Sequence, residues 1–160
     1  MAKQPQSGGR RVLTQNRKAR HDYIILDRLE AGIALVGTEV KVLREGKGSL
    51  SGAFALVDGC GEVWLHNVTI PPYDFGNRFN HDSLRVRKLL LHKSEARRLK
   101  THVEQKGNTI VPLALYMVHG RVKVELGICR GKTVYDKRET LRRRDDERSA
   151  QRAIAQHFRG

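Results

Sequence analysis

The stretch NRFNHD (77–82) brings Asn77, Asn80, His81 and Asp82 into one short segment. Such a set could hold a metal ion or seat His81 as a general base beside Asp82. A polar loop is the better reading: its Asn and Asp side chains make turns, and Arg78 and the aromatics touch RNA. The rest of an enzyme is missing. Histidines 21, 66, 81, 92, 102, 119 and 157 are scattered. The sequence has no HExxH, no GxSxG, no GxGxxG after a strand-like run and no complete phosphate loop. Gly46-Lys47-Gly48-Ser49 lacks the first glycine of that loop and reads as a helix end followed by a turn. Cys60 and Cys129 form neither a CxxC pair nor a disulfide framework, and are expected as small buried side chains in a reducing cytosol.

Binding chemistry is better represented. Tyr73, Phe75 and Phe79 surround Arg78 in PPYDFGNRFNHD, where aromatics can stack on unpaired bases beside a phosphate-holding Arg. One or two of them could equally plug the end of a barrel. Trp64 alternates with polar neighbours and is expected in the core. Arg85, Arg87, Lys88, Lys123, Arg130 and Lys132 lie near strand ends and together suggest a surface for RNA phosphates.

The charge points the same way. The chain of 160 residues carries 31 Lys+Arg against 17 Asp+Glu, a net +14. Residues 1–20 hold six bases and no acid, and residues 130–160 hold ten bases and five acids. The remainder is close to neutral, so a modestly charged globule carries two basic arms and phosphate-rich polymers are the first expected partners. At 39% hydrophobic residues a core is affordable only for one domain, and no apolar run is long enough to cross a bilayer. A soluble, unsecreted, cytoplasmic chain is expected. Residues 1–15 read as a disordered basic arm.

The segment that must position these residues is mostly β. DYIILDRL (22–29), AFALV (53–57), EVWLHNVTI (62–70), LRVRKLLLH (84–92), IVPLALYMV (110–118) and RVKVELGIC (121–129) read as strands. His119-Gly120 is a two-residue hairpin turn, and Pro112 marks an edge or bulge. Val122, Val124 and Leu126 alternate with Arg121, Lys123 and Glu125, placing Lys123 on the solvent face. Helices are expected over 39–45 and about 95–106, with Thr38 and Ser94 as caps and Gly46 and Gly107 at the ends. After Arg138 the chain is rich in Arg, Glu, Ala and Gln without Pro or Gly until Gly160, a latent helix with little apolar surface. Short antiparallel strands with few helices suggest a small OB-like closed barrel over residues 16–134, followed by a tail over 135–160.

NRKARHDYIILDRLEAGIALVGTEVKVLREGKGSL (16–50), NRFNHDSLRVRKLLLHKSE (77–95) and RVKVELGICRGKTVYDKRE (121–139) together resemble the small protein B family, the SsrA- (tmRNA-) binding proteins of bacterial trans-translation. The resemblance runs from about Asn16 to Glu139. It implies an OB-like antiparallel barrel with three helices and a tail that is unstructured when free. It implies no catalysis and no cofactor. The implied partners are the tRNA-like part of tmRNA, small-subunit ribosomal RNA at the decoding centre and mRNA channel, and, indirectly through alanyl-tmRNA, elongation factor Tu. A monomer away from membranes is expected. Carried onto this chain, the tmRNA-contacting positions match Glu30, Lys88, Leu90, His92, Lys123, Arg130 and Lys132. Those touching the decoding nucleotides match Tyr135, Asp136, Lys137 and Arg138. In the tail, Arg142, Arg143, Arg144, Ile154 and Phe158 are expected to meet the channel. Thr133 stands where a lysine is common, Tyr135 where some members have His, and Arg130 where Lys is usual. An OB-fold ribosomal or translation-factor-like protein would share the barrel, charge and arms.

Overall fold

The computed structural model describes residues 9–75, 80–105, 107–131 and 134–159. Along the chain these form β1 (Arg11–Gln15), α1 (Arg17–Asp22), β2 (Tyr23–Ile33), α2 (Gly37–Arg44), β3 (Phe54–Val57), β4 (Val63–His66), β5 (Arg87–Leu90), α3 (Lys93–Glu104), β6 (Asn108–Val118), β7 (Arg121–Gly131) and α4 (Val134–Arg159). Every strand pairing is antiparallel, in the order β1-β6-β3-β4-β5-β2-β7, and a further β6–β7 ladder brings the last strand back to the second. The ring is uneven. β3 meets β6 only at Ala55↔Ile110, and β2 meets β5 at Gly32↔Leu90 and Ile33↔Leu89, whereas β2–β7 and β6–β7 are long ladders. β1 and β3 share one edge of β6.

Local chemistry explains these connections. His119 (φ 49°) and Gly120 (φ 76°) are both left-handed, as a type I′ turn requires between right-twisted strands. Pro112 has no N–H for the ladder, and the β6–β7 register slips between Pro112 and Ala114. Asn16 fills the break. Its backbone N–H donates to Leu113 O (2.8 Å), its Nδ2 to Pro112 O (2.9 Å) and Leu50 O (3.2 Å), while its Oδ1 accepts the Ala19 N–H and caps α1. The expected helices start earlier than the sequence indicated. Glu39 and Glu95 accept the N–H groups of Val36 and His92 (3.0 and 3.1 Å), so the first turns form around those residues rather than around Thr38 and Ser94.

The main core joins Val122, Val124, Leu126 and Ile128 of β7 to Ile110, Leu115, Leu65 and Leu89 of the other strands, and is covered by Leu43 of α2 and Leu99 of α3. A smaller cluster of Ala19, Val111, Leu113 and Cys129 lies beneath α1. Burial pushes the Cys129 thiol up to about 11, so it behaves as an apolar group.

Several expectations are corrected. Arg11–Gln15, assigned to a disordered arm over residues 1–15, form β1 against β6 and bury Leu13, while residues 1–8 lie outside the described residues. Among the described residues α1, α2 and α3 make the three expected helices, and the tail is a fourth, helical from Val134. Trp64 is half-buried on the outer face: Val63 and Leu65 take the core positions, and the indole N–H donates to Asp58 Oδ2 (2.9 Å). That bond and the N–H groups of Glu62 and Cys60 hold the Asp58 carboxyl below its usual range. Cys60 is exposed, in the tight β3–β4 loop that Asp58 organises.

Candidate nucleic-acid interface

The outward face of β7 carries Arg121, Lys123 and Glu125, alternating with buried Val122, Val124 and Leu126. Strand register extends this face sideways. Lys123 is opposite Gly32 of β2 and Tyr116 of β6, while Gly32 is opposite Leu90 of β5 and Tyr116 is opposite Val12 of β1. One lateral row thus crosses five strands. A Cβ on Gly32 would stand 3.1 Å from Leu90 Cβ, so the glycine lets these strands approach. Leu90 is 55% exposed and, with Lys123 and Arg121, lines a shallow groove over Gly32. Lys88 shares the outer face of β5 with Leu90 and sits opposite Trp64, its Nζ donating to Glu62 Oε1 (3.1 Å).

Glu30 stands one register step from this row and directly opposite Glu125. Its carboxylate accepts the Tyr116 hydroxyl proton. Tyr116 is 2% exposed although it faces outward. Burial and the Glu30 carboxylate hold that hydroxyl well above its ordinary titration range, so it remains a donor. The Arg10 guanidinium lies 3.7 Å over the Tyr116 ring and covers it. Glu125 accepts from Arg10 (3.1 Å) and, on its other oxygen, from Arg28 (3.1 Å).

Glu30, Lys88, Leu90 and Lys123 therefore come together on one surface, joined by Tyr116, Arg10, Arg28 and Glu125. His92 is exposed just beyond, where it precedes α3. Arg130 does not join them. It lies seven residues from Lys123 along β7, roughly 23 Å at strand rise, and has the parity of the core-facing residues. It emerges exposed at the far end of the strand, opposite Ile24 and Asn108. Lys132 and Thr133 lie outside the described residues, as do Arg78 and Phe79. Tyr135, Asp136, Lys137 and Arg138 fall at the start of α4, which packs beside α1; Arg138, Arg142 and Arg143 are exposed and Arg144 is half-buried. Ile154 and Phe158 lie in the last turns of α4.

Two groups leave the basic surface. Arg87 is fully buried, donating through Nε to Glu39 Oε2 (2.5 Å) and through a terminal nitrogen to Val68 O (2.7 Å). Arg85 is half-buried and donates to the other Glu39 oxygen (2.5 Å). They serve the fold because a buried carboxylate waits inside for them. His81 and Asp82 are likewise structural. The His81 ring bonds Thr38 Oγ1 (2.8 Å) through Nδ1 and the carbonyls of Ile70 (2.8 Å) and Pro71 (3.0 Å) through Nε2, and Asp82 accepts the Leu84 N–H. Tyr73 packs partly against the core with exposed Phe75 edge-on at 5.6 Å. Among the described residues no cluster of His, Cys, Asp and Glu could hold a metal ion. The one signal that could have found Tyr116 is its pairing opposite Lys123, which makes it outward-facing despite its apolar neighbours.

The SmpB family model, described as SmpB protein, matches residues 13–156. The chain belongs to the SmpB family. SsrA-binding proteins of this family from Corynebacterium efficiens and Synechococcus elongatus are similar to it. The first is 54% identical over 93% of this chain and 90% of the relative, the second 56% identical over 92% and 96%. Among solved structures, a chain from "tmRNA-SmpB: a journey to the center of the bacterial ribosome" is 53% identical, covers 81% of this chain and 94% of that one, and superposes with a TM-score of 0.67. The SmpB match begins at Leu13, within β1, and takes in nearly all of α4, so the terminal helix belongs to the family unit. Arg10 lies outside it.

Proposed function

We propose that this chain binds tmRNA and acts with it in trans-translation, bringing alanyl-tmRNA to ribosomes stalled without a stop codon. The observation that carries this reading is the convergence of Glu30, Lys88, Leu90 and Lys123 on one face, within a sequence matched from residue 13 to 156 by the SmpB family. The uneven ring of strands is read as an OB-like barrel whose outer β5–β2–β7–β6 face holds the tRNA-like part of the RNA. Lysines supply phosphate attraction. Glu30 repels phosphate but accepts hydrogen bonds from base amino and imino groups, so it specifies rather than attracts. Arg130, at the far end of β7, continues the contact toward the tail, and Lys132, two residues on in sequence, is assigned to the same contact.

The second end of the molecule is α4. Tyr135, Asp136, Lys137 and Arg138 at its root are assigned to the decoding nucleotides, and Arg142, Arg143, Arg144, Ile154 and Phe158 to the mRNA channel. Between Leu141 and Ala150 the helix carries no apolar side chain, so it gains little by packing and its repelling arginines are best neutralised by ribosomal RNA. The helix is accordingly unstable in the free protein and forms in the channel. Bound mRNA would exclude it sterically, which limits action to empty channels. The protein works in the cytoplasm, without catalysis of its own.

The test separates the two ends. Removing residues 139–160 leaves tmRNA affinity nearly intact and abolishes tagging of nascent chains on non-stop ribosomes. Equal loss in both assays refutes the division, and failure of the full chain to prefer tmRNA over bulk ribosomal RNA and tRNA refutes the function.

A further inference from the structure

Glu30 and Glu125 face each other directly across the β2–β7 ladder, a pairing that like charges make unfavourable. Each carboxylate is compensated differently. Glu30 takes the Tyr116 hydroxyl. Glu125 takes one guanidinium on each oxygen, Arg10 from the segment before β1 and Arg28 from β2. Arg10 is fixed a second time by its position over the Tyr116 ring. Two parts of the chain distant in sequence thus converge on the Glu125 carboxylate.

We propose that Arg10 and Arg28, held by Glu125, form a preassembled clamp for RNA backbone phosphate on the tmRNA-binding face. The proposal rests on the functional reading above and extends it to residues to which the resemblance assigned no contact. A guanidinium carries five N–H donors in a planar fork suited to phosphate. Each arginine is seen using one terminal nitrogen on Glu125, and the side chains remain 27% and 56% exposed. Lys123 stands two residues from Glu125 on the same face, so a phosphate there meets three cations. Holding a long flexible side chain in its binding geometry beforehand removes part of the ordering cost of association. Glu125 therefore strengthens phosphate binding in spite of its sign. Its negative charge is outweighed by the two arginines it orients.

That sign makes the test sharp. The full chain and its variants are titrated with the transcribed tRNA-like domain of tmRNA at several salt concentrations. Were Glu125 only a repelling charge, Glu125→Gln would tighten binding. The clamp predicts the opposite, a loss of about fivefold, from the ordering cost returned to two long side chains. Arg10→Ala with Arg28→Ala lowers the slope of log affinity against log salt by about 1.4–1.8, as two phosphate contacts require. In that background Glu125→Gln has no further weakening effect. Thermal unfolding of each variant monitors the fold, and the exposed single variant Arg28→Ala gives the same direction if Glu125→Gln is unstable. Equal or tighter binding by a folded Glu125→Gln, or an unchanged salt slope in the double variant, overturns the clamp. A wild-type chain without preference for tmRNA overturns the functional reading as well; selective wild-type binding with an indifferent Glu125→Gln overturns the clamp alone.

Discussion

Replacing Glu39 by Gln tests whether the buried charge network holds the barrel together. Glu39 and Arg87 are both 0% exposed. The Glu39 carboxylate accepts from Arg87, Arg85 and the Val36 N–H, and Arg87 also donates to the carbonyls of Val68, Asp82 and Ser83. The amide of Gln keeps the shape but turns a donor toward the guanidiniums and leaves the Arg87 charge uncompensated. Breaking a buried pair from one side costs about 3–5 kcal/mol. In a chain of this length each kcal/mol moves Tm by about 2–4 °C, so a fall of roughly 6–20 °C at pH 7 is expected by circular dichroism. Acidity gives a second readout. Burial alone would push the Glu39 carboxyl up, but the hydrogen bonds from Arg85, Val36 N–H and Arg87 outweigh it and leave it below its ordinary 4.5. The folded chain then holds this proton less tightly than the unfolded one. The stabilisation is complete above the ordinary value and is lost as pH falls through the lower folded value. The gap between wild type and Glu39→Gln should close only in that acid window. A gap below about 1 kcal/mol at pH 7, where a broken buried pair requires several times more, or one that widens on acidification, refutes the reasoning.

The face and the connections give further tests. Lys123→Ala should weaken tmRNA binding and lower the salt slope by about 0.7–0.9, the loss of one phosphate contact; an unchanged slope places Lys123 off the interface. Asn16→Ala removes the α1 cap and the Nδ2 hydrogen bonds to Leu50 O and Pro112 O, a loss of about 2 kcal/mol or more measured by urea unfolding. His119→Asn relieves a left-handed residue in the β6–β7 turn and should stabilise by about 0.5–1 kcal/mol, seen as a higher Tm without change in RNA affinity.

Features with one local cause were legible in the sequence. His119-Gly120 announced its turn because few residues accept two successive positive φ angles, and Pro112 announced its bulge because it has no N–H to give. The alternation through Val122, Val124 and Leu126 likewise placed Lys123 outward without knowledge of any other strand. Arg87 was not legible: a charged side chain in a strand reads as solvated unless its counter-ion is known, and Glu39 is 48 positions away. With Arg87 turned inward, Val86 is the residue left exposed. Trp64 misled in the opposite way, its ring reading as core while its N–H required an outward partner. The residues proposed for the tmRNA face were singled out mainly through the family resemblance. Tyr116, Arg28 and Glu125 acquire meaning only from register across β2, β6 and β7, which a linear pattern does not contain.

β7 also acts as a spacer of fixed length. The face around Lys123 lies near one end of it and α4 begins within a few residues of the other, so on the proposed function one strand sets how far apart the two proposed binding ends stand. A strand cannot be lengthened by one residue without turning every later side chain to the other face. Short of a bulge, such as the one at Pro112 in β6, the length of β7 therefore changes in steps of two residues, about 7 Å each. The pleat thus makes distance along the sheet a stepped quantity.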